Sequence, residues 1–276
     1  MHWHTTRFQI DLARPQVMAI INLTPDSFSD GGRYEETRAA VARCEELMEQ
    51  GADIIDLGGE STRPGAEPLP PGEELRRVLP VAREALQLKV PLSIDTRHAE
   101  VMRACLDIGV DIINDVDALR APGAVEAVAA HPSCGVCLMH MKGQPASMQE
   151  RPQYDDVVRE VGAFLNERAK LLLHSGVSRD RIVFDYGIGF GKSFEHNFEL
   201  LRGEALLLEY GYPLLAGWSR KSSLGILTGR PAGDRLAASI AAALAAVQGG
   251  ARIIRVHDVA ATVDALKVWR MAGLCA

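Results

Sequence analysis

One polar segment near the start of the chain carries side chains that could bind a metal ion. Residues 22–32 read NLTPDSFSDGG and directly follow the apolar run VMAII. Asn22 and Asp30 offer the amide and carboxylate oxygens that Mg²⁺ prefers, and such an ion could be shared with phosphate groups. Phe28 is an aromatic residue in otherwise polar surroundings. The same composition is typical of an ordinary loop, so the segment alone leaves both interpretations open.

Cationic side chains are concentrated near the other end of the chain, in two short motifs. GWSRKS contains Arg220 and Lys221, and RVHD contains Arg255 and His257. Arginine and histidine, together with serine or threonine hydroxyl groups, can hold a dianionic leaving group. A lone pair of charges is usually a solvated surface, so this interpretation depends on where the fold places the two motifs.

Two further motifs resemble known sites but favour structural roles. DYGIGFGKS (185–193) nearly matches a phosphate-binding loop, but Tyr186 stands where that loop needs glycine. We therefore expect its glycines to turn tightly beside a flat ligand. Cys134 and Cys137 form a C-x-x-C within SCGVCLMHM, which has the composition of a buried strand. No second C-x-x-C completes a zinc site, so neither metal nor redox chemistry is expected there.

The segments that must position these residues alternate between short apolar runs and longer stretches with helical periodicity. The predicted strands are 17–21, 54–57, 91–94, 111–114, 135–139, 181–184, 213–217 and 252–256. The predicted helices are 34–50, 72–88, 98–108, 123–130, 155–175, 193–209, 235–248 and 258–272. This α/β pattern predicts a (β/α)8 TIM barrel, a single domain over 1–276 with a short N-terminal extension that closes the bottom. A doubly wound open sheet is the alternative, but it would leave two edges to protect.

In such a barrel the carboxyl ends of all strands meet at one rim, where the chemistry is expected. Carboxylates at partly buried strand ends cost free energy unless they are paired or bind a ligand, which predicts a ligand site at this rim. We expect an acidic and amide-rich half that suits a heterocycle with N–H donors, formed by Asp95, Asn114, Asp115 and Asp185. We expect a cationic half that suits anions, formed by Arg63, Arg220, Lys221, Arg255 and His257.

Composition argues against several classes of protein. The 276 residues carry 30 basic and 36 acidic side chains, a net charge of −6, which does not suggest a nucleic-acid surface. No apolar run reaches the length needed to span a membrane, and the first fifteen residues are too polar for a signal peptide. The five cysteines are scattered and odd in number, which favours a reducing, cytoplasmic compartment.

Seven motifs, in order, resemble those of the dihydropteroate synthases, the pterin-binding enzymes of the folate pathway. They are NLTPDSFSDGG, GGESTRPGA, SIDT, INDV, DYGIGFGK, GWSRKS and RVHDV, and the resemblance extends from about residue 16 to 272. It implies condensation of 6-hydroxymethyl-7,8-dihydropterin diphosphate with 4-aminobenzoate, giving 7,8-dihydropteroate and pyrophosphate. It also implies Mg²⁺ as cofactor, competition by sulfonamides with aminobenzoate, and a homodimer formed through the last barrel helices.

The resemblance further implies roles for individual residues. Hydrogen bonds to the pterin would come from Asp95, Asn114, Asp185 and Lys221, with Met139 and Gly217 close to its plane. Mg²⁺ would be bound by Asn22, and the diphosphate by Thr62, Arg255 and His257. Aminobenzoate would be surrounded by Phe28, Thr62, Arg63, Pro64, Phe190, Lys221 and Ser222. From the position and composition of the loop itself we expect a lid hinged at Gly31 and Gly32, on which Asp30 would coordinate the metal or offset positive charge during the reaction.

One position departs from the family pattern, and two rival functions share part of that pattern. The family usually has proline after the strand-six aspartate, where this chain has Tyr186, so the turn could be less rigid or the tyrosine could pack locally. A pterin-binding methyltransferase of the corrinoid kind would share the acidic half but needs no diphosphate site. A non-catalytic homologue that acts as a partner subunit would have lost rim residues that this chain retains.

Overall fold

The computed structural model describes residues 1–23, 33–61, 65–144, 148–150 and 152–274. Its strands are β1 (His2–His4), β2 (Gln9–Asp11), β3 (Gln16–Asn22), β4 (Ile54–Gly58), β5 (Leu92–Asp95), β6 (Ile112–Asp115), β7 (Gly135–Met139), β8 (Ile182–Asp185), β9 (Leu214–Ala216) and β10 (Ile253–Val256). Strands β3 to β10 are parallel and form a closed barrel. The predicted (β/α)8 barrel is confirmed, and the open sheet is wrong because β10 pairs with both β3 and β9.

The helices surround the barrel, with two differences from the predicted ones. They are α1 (Arg33–Glu49), α2 (Pro71–Ala85), α3 (Ala99–Asp107), α4 (Ala124–Ala130), α5 (Val157–His174), α6 (Phe194–Arg202), α7 (Glu204–Leu208), α8 (Ser222–Thr228), α9 (Leu236–Gly249) and α10 (Val259–Met271). The predicted helix 193–209 is interrupted at Gly203, where a Cβ atom would lie 2.6 Å from Val158 Cγ2 of α5. Helix α8 was not predicted, because its seven residues are too few to show a period. In the part of the chain that the structure describes, no helix is long and apolar enough to cross a membrane.

The first two strands close the bottom of the barrel, as predicted. They pair antiparallel, with Trp3 opposite Ile10. Trp3 is fully buried, and its indole N–H donates to the carbonyl of Arg181 over 2.9 Å. It belongs to a cluster with one residue from each of seven barrel strands: Met18, Ile54, Ile112, Cys137, Val183, Leu215 and Ile253. Cys134 instead packs in the larger cluster that joins strands to helices, so the two cysteines of the C-x-x-C belong to different clusters.

The strand register brings predicted site residues to one level at the opposite end of the barrel. Asn22 and Asp95 both pair with the last residue of β4, and Asp95 pairs in turn with Asn114. Met139 pairs with Asp185 in the same way. Each of these five residues is the last or the second-last residue of its strand. Barrel closure therefore places polar groups from distant parts of the sequence at one rim, as the fold class predicts.

Candidate active site

One pocket at this rim collects most of the residues predicted to bind substrates. Its lining includes Asp95, Asn114, Met139, Asp185, Phe190, Gly217, Lys221 and Arg255. Val116 and Ile188 also line it and were not predicted, because an apolar residue beside a strand end looks like a core residue in the sequence. The pocket thus combines carboxylates, an amide, two cations and an apolar wall, which is the usual composition of a site for a small polar molecule.

Arg255 is the centre of charge in this pocket. Its Nε donates to Asp56 Oδ2 over 2.7 Å, and its Nη2 donates to Asp95 Oδ2 over 2.6 Å. The side-chain nitrogen of Asn114 donates to the same Asp56 oxygen over 3.2 Å. One guanidinium therefore joins carboxylates of β4 and β5, and such charge-assisted bonds are stronger than neutral ones.

Asp56 was not among the predicted site residues, because it lies inside the apolar run IIDL rather than after it. Its side chain is fully buried, and its second oxygen, Oδ1, has no hydrogen-bond partner among the described residues. A usable signal was present in the sequence. A carboxylate in the middle of a buried parallel strand costs free energy unless a cation or donor meets it, so its presence predicts an interior partner.

Burial shifts the pKa values of three charged groups around the pocket. Burial raises the pKa of Asp95, although the positive charge of Arg255 opposes this rise. Burial raises the pKa of Asp185 as well, against a hydrogen bond of 2.7 Å from the Gly187 N–H. Burial lowers the pKa of Lys221 to about 8, against the attraction of Asp185. Perturbed ionisable groups clustered in a cleft are typical of functional sites.

Three of the residues predicted to surround aminobenzoate, Phe190, Lys221 and Ser222, are among the described residues and lie at or beside this pocket. The ammonium nitrogen of Lys221 lies 4.2 Å from the centre of the Phe190 ring, a cation–π contact. Ser222 follows as the exposed first residue of α8. The other predicted contacts lie outside the described residues: Phe28, Thr62, Arg63 and Pro64, together with Asp30, Gly31 and Gly32 of the predicted lid.

The predicted division of the rim into an acidic and a cationic half is wrong. Arg255 and Lys221 line the same pocket as Asp95 and Asp185, so the two signs of charge are mixed there. Arg220 is not in that lining. Its guanidinium pairs with the carboxylate of Asp258, the Nη2 to Oδ1 distance being 2.6 Å.

Asp115, which was expected among the ligand-binding acids, has a structural role instead. The side chain is fully buried and accepts hydrogen bonds of 2.7 Å from the backbone N–H groups of Asp117 and Leu119. These bonds fix the turn after β6, where Ala118 and Leu119 adopt the left-handed backbone conformation with φ of 51° and 58°. Non-glycine residues are uncommon in that region, so the carboxylate is needed to stabilise the turn.

His257 is not part of the pocket lining but is bound to Ser219 of the other cationic motif, GWSRKS. Its Nδ1 lies 2.9 Å from the hydroxyl of Ser219, which also accepts a 3.2 Å hydrogen bond from the His257 backbone N–H. The loops after β9 and β10 are therefore bound to each other. The contact at Nδ1 fixes the orientation of the His257 ring, which a histidine that binds an anion needs.

The amide oxygen of Asn22, predicted to bind Mg²⁺, lies beside Gly58 and near a carboxylate oxygen of Asp95 that already accepts from Arg255. A Cβ atom placed on Gly58 would lie 4.0 Å from Asn22 Oδ1 and 3.9 Å from Asp95 Oδ2, so both oxygens border the space over Gly58. Amide and carboxylate oxygens suit Mg²⁺, which usually keeps waters and substrate phosphates as its other ligands. In the ranges that the structure describes, no group of three His, Cys, Asp or Glu side chains could hold a metal by itself.

Tyr186, the departure from the family pattern, forms a buried hydrogen bond. The ring is fully buried, and its hydroxyl donates to Oε1 of Glu204, the first residue of α7. Burial raises the pKa of Glu204 to about 8, so this carboxyl is mainly protonated and neutral at pH 7. The bond ties the turn after Asp185 to the break between α6 and α7. Of the two alternatives for this position, local packing is therefore the correct one.

Comparisons with known proteins agree with this geometry. A family model described as pterin binding enzyme matches residues 18–257. A dihydropteroate synthase of Neisseria meningitidis is 50% identical over 278 residues, which cover 99% of this chain and 98% of that protein.

Solved structures are similar over nearly the whole chain. Xanthomonas albilineans dihydropteroate synthase with 4-aminobenzoic acid is 50% identical, with a TM-score of 0.92 and 99% of each chain covered. Burkholderia cenocepacia dihydropteroate synthase complexed with 7,8-dihydropteroate is 47% identical, with a TM-score of 0.89, and the match covers 99% of this chain and 96% of that one.

The bond between Tyr186 and Glu204 gives a prediction about stability. Tyr186→Phe removes the donor and leaves a buried carboxyl without it, so we expect the free energy of unfolding in urea to fall by about 1–3 kcal/mol. Glu204→Gln keeps an uncharged acceptor of nearly the same shape and should cost less. Tyr212→Phe, at another buried tyrosine, is the matched control and should change the free energy less than Tyr186→Phe. A Glu204→Gln variant less stable than Tyr186→Phe would contradict a neutral carboxyl.

Proposed function

The chain belongs to the dihydropteroate synthase family of pterin-binding enzymes, and on this premise we propose how its pocket carries out the reaction. It is a transferase of folate biosynthesis that condenses 6-hydroxymethyl-7,8-dihydropterin diphosphate with 4-aminobenzoate. The observation that carries the proposal is the convergence of predicted substrate-binding residues, from β5 to the end of β10, on one pocket.

The pterin ring is bound in this pocket by Asp95, Asn114, Asp185 and Lys221, with Met139 and Gly217 against its plane. Oxygen atoms of the carboxyl and amide groups accept hydrogen bonds from the N–H groups of the ring. Buried acceptors lose free energy unless donors meet them, so these residues select a heterocycle rich in N–H groups. A Cβ atom on Gly217 would meet no atom of the described residues within 4 Å, which supports space for a flat ligand there.

The diphosphate is bound by Arg255 and His257, with Thr62 outside the described residues. The bonds from Arg255 to Asp56 and Asp95 fix the guanidinium before substrate arrives, so little conformational entropy is lost on binding. Asn22 would hold Mg²⁺. When bound, the positive ion would offset the negative charge of the departing pyrophosphate.

The reaction is a dissociative substitution that needs no enzyme nucleophile. The bond between the pterin methylene carbon and the diphosphate oxygen breaks first, and its electron pair leaves with pyrophosphate. The electron-rich pterin stabilises the methylene cation that remains. The amine nitrogen of aminobenzoate then attacks this carbon, a C–N bond forms, and the nitrogen releases a proton. The protein contributes positioning and electrostatic stabilisation, which lower the barrier without any covalent bond to the enzyme.

Aminobenzoate is placed beside Phe190, Lys221 and Ser222 in this proposal. The ammonium group of Lys221 contacts the face of Phe190 and is near Asp95 and Asp185, the carboxylates proposed to bind the pterin, so one residue serves both substrates. Phe28, Thr62, Arg63 and Pro64 would complete this site, and sulfonamides would compete there. Asp30, on the proposed lid, would offset the positive charge of the cation, while closure would exclude the water that quenches it.

A homodimer through the last helices is also proposed. Large apolar side chains are exposed on or beside α8, α9 and α10: Ile226, Leu227, Leu236, Val268 and Met271. Val268 is 70% and Met271 84% exposed, and α9 contacts both α8 and α10, so these apolar side chains lie on neighbouring helices where a partner would cover them. A cytoplasmic location is proposed from the cysteines, because Cys44, Cys105, Cys134 and Cys137 are free and buried.

The reaction is tested by the products and by what their formation requires. Protein is incubated with the pterin diphosphate, 4-aminobenzoate and Mg²⁺, and pyrophosphate and dihydropteroate are quantified. We expect the two products in equal amounts, and neither when aminobenzoate or Mg²⁺ is omitted. Methyl transfer from a methylated folate, without pyrophosphate release, would indicate the methyltransferase instead. Binding of the pterin without turnover would indicate a non-catalytic homologue.

The lowered pKa of Lys221 predicts a pH dependence of binding. Its ammonium is present below pH about 8 and is lost above it, so affinity for the pterin diphosphate should fall as pH rises through about 8. Calorimetric titration from about pH 6.5 to about 9.5, roughly 1.5 units on each side of that midpoint, measures the decrease. Lys221→Arg keeps its charge over this range and should bind without the alkaline decrease. The same decrease in Lys221→Arg would assign the titration to another group.

A further inference from the structure

The loop after β8 packs on the end of β7 through its glycines. Gly187 and Gly191 have φ of 67° and 64°. A Cβ atom on Gly187 would lie 2.0 Å from the carbonyl oxygen of His140, and one on Gly191 would lie 2.2 Å from that of Lys142. Only glycine allows this approach, which is closer than any side chain permits. The opposite side of the loop lines the pocket with residues 187, 188 and 190.

Lys192, at the end of this loop, is buried beneath it rather than directed outward. The residue is only 2% exposed, and its Nζ lies 2.9 Å from His140 Nδ1. It also donates to the carbonyl oxygens of His140 over 3.2 Å and of Phe190 over 3.1 Å. Three acceptors thus surround the nitrogen of Lys192. Burial lowers the pKa of this lysine well below its ordinary value, against the attraction of Asp185. This is the lysine that made the segment resemble a phosphate-binding loop, and its direction is the reverse of the one such a loop needs.

We propose that Lys192 is a positioning residue for both substrates, which fixes the loop 187–191 and the Phe190 ring against the end of β7. This proposal deepens the function proposed above and rests on it. Lys192 donates to the Phe190 carbonyl, and the ring of Phe190 in turn meets Lys221. Removal of the ammonium would leave two carbonyls and the imidazole without their donor, and the loop would move to find other donors.

His140 reports on this arrangement. A protonated Lys192 has no lone pair and can only donate, in which case His140 Nδ1 accepts the bond and the ring proton lies on Nε2. Burial, and then the charge of Lys192, lower the pKa of His140 to about 2. The ring of His140 is also held by an edge contact of 5.0 Å between its centre and that of Phe164. The nitrogen spectrum of His140 therefore reads its contact with Lys192, because the tautomer of the ring depends on the partner of Nδ1.

The test compares Lys192→Met with Lys192→Arg in the full-length protein. Methionine has a similar length but no donor, so we expect the KM for aminobenzoate to rise about ten-fold, the loss of one charge-assisted hydrogen bond in the wall of its site. The KM for the pterin diphosphate should rise about three-fold, because the pterin keeps its other partners. Lys192→Arg restores charge and donors and should recover most of the aminobenzoate effect. Lys89→Met, at an exposed lysine far from the rim, is the control.

Nitrogen NMR of selectively labelled histidine gives the second readout. In the wild type, His140 should show an unprotonated Nδ1 and no titration between pH 5 and 8, roughly the ordinary range for histidine. In Lys192→Met we expect this signal to change. An unchanged His140 spectrum with unchanged KM values in Lys192→Met would overturn the proposal. So would losses in Lys192→Met that affect kcat alone, or that Lys192→Arg does not reduce.

A second variant tests the proposal if Lys192→Met does not fold. His140→Ala removes one acceptor and keeps the lysine, and we expect it to raise the KM for aminobenzoate in the same direction. A wild-type KM in His140→Ala would then overturn the proposal. Failure of the wild type to form dihydropteroate would refute the proposed function, and the His140 spectrum would still measure the contact with Lys192 independently of turnover.

Discussion

The pocket depends on one arrangement of charges, in which Arg255 is shared between Asp56 and Asp95. Both carboxylates are buried, and an isolated ion in such a position costs on the order of several kcal/mol. The guanidinium meets both of them with bonds of 2.7 and 2.6 Å and joins strand β10 to β4 and β5. An acidic pocket that can accept the N–H groups of a pterin can therefore exist inside a barrel only because this arginine is already present.

The same arrangement links substrate binding to the leaving group. Arg255 holds Asp95, which is proposed to bind the pterin, and it is also the residue proposed to meet the diphosphate. The other wall of the pocket is fixed by contacts behind it: Lys192 beneath the glycine loop, and Tyr186 with Glu204 beyond the Asp185 turn. In each case a charged or polar group that touches no substrate determines where a substrate-binding group lies, which is how preorganised sites are usually built.

The barrel and several residues of its pocket could be predicted from the sequence by two rules. Alternating apolar and periodic segments give the barrel, and strand ends in a barrel share one rim, so Asp95, Asn114 and Asp185 could be grouped from their positions in the sequence alone. The rules fail where a residue's partner is set by three-dimensional packing. Asp56 lies within a strand, and its partner Arg255 is identified only by the three-dimensional structure. Arg220, adjacent to Lys221, pairs with Asp258 and leaves the pocket.

The break at Gly203 and the direction of Lys192 could not be predicted for a related reason. Gly203 interrupts a periodic segment because α5 approaches it, and no local pattern encodes that approach. Lys192 belongs to a motif whose sequence resembles a phosphate-binding loop. The lysine points inward because its partners are the side chain and carbonyl of His140, directly after β7. Sequence patterns identify which residues are polar and where strands end, whereas the pairing of buried charges is a property of the closed barrel.

The central claim is that Arg255 makes the buried acidic pocket possible, and a double-mutant cycle of unfolding free energies with Asp56 tests it most directly. Arg255→Met leaves two buried carboxylates without their cation and is predicted to lower the free energy of unfolding in urea by about 3–5 kcal/mol. Adding Asp56→Asn to this variant should recover part of the loss, giving a coupling energy of about 1–3 kcal/mol. Strictly additive effects of the two substitutions, or a fully stable Arg255→Met protein, would contradict the account.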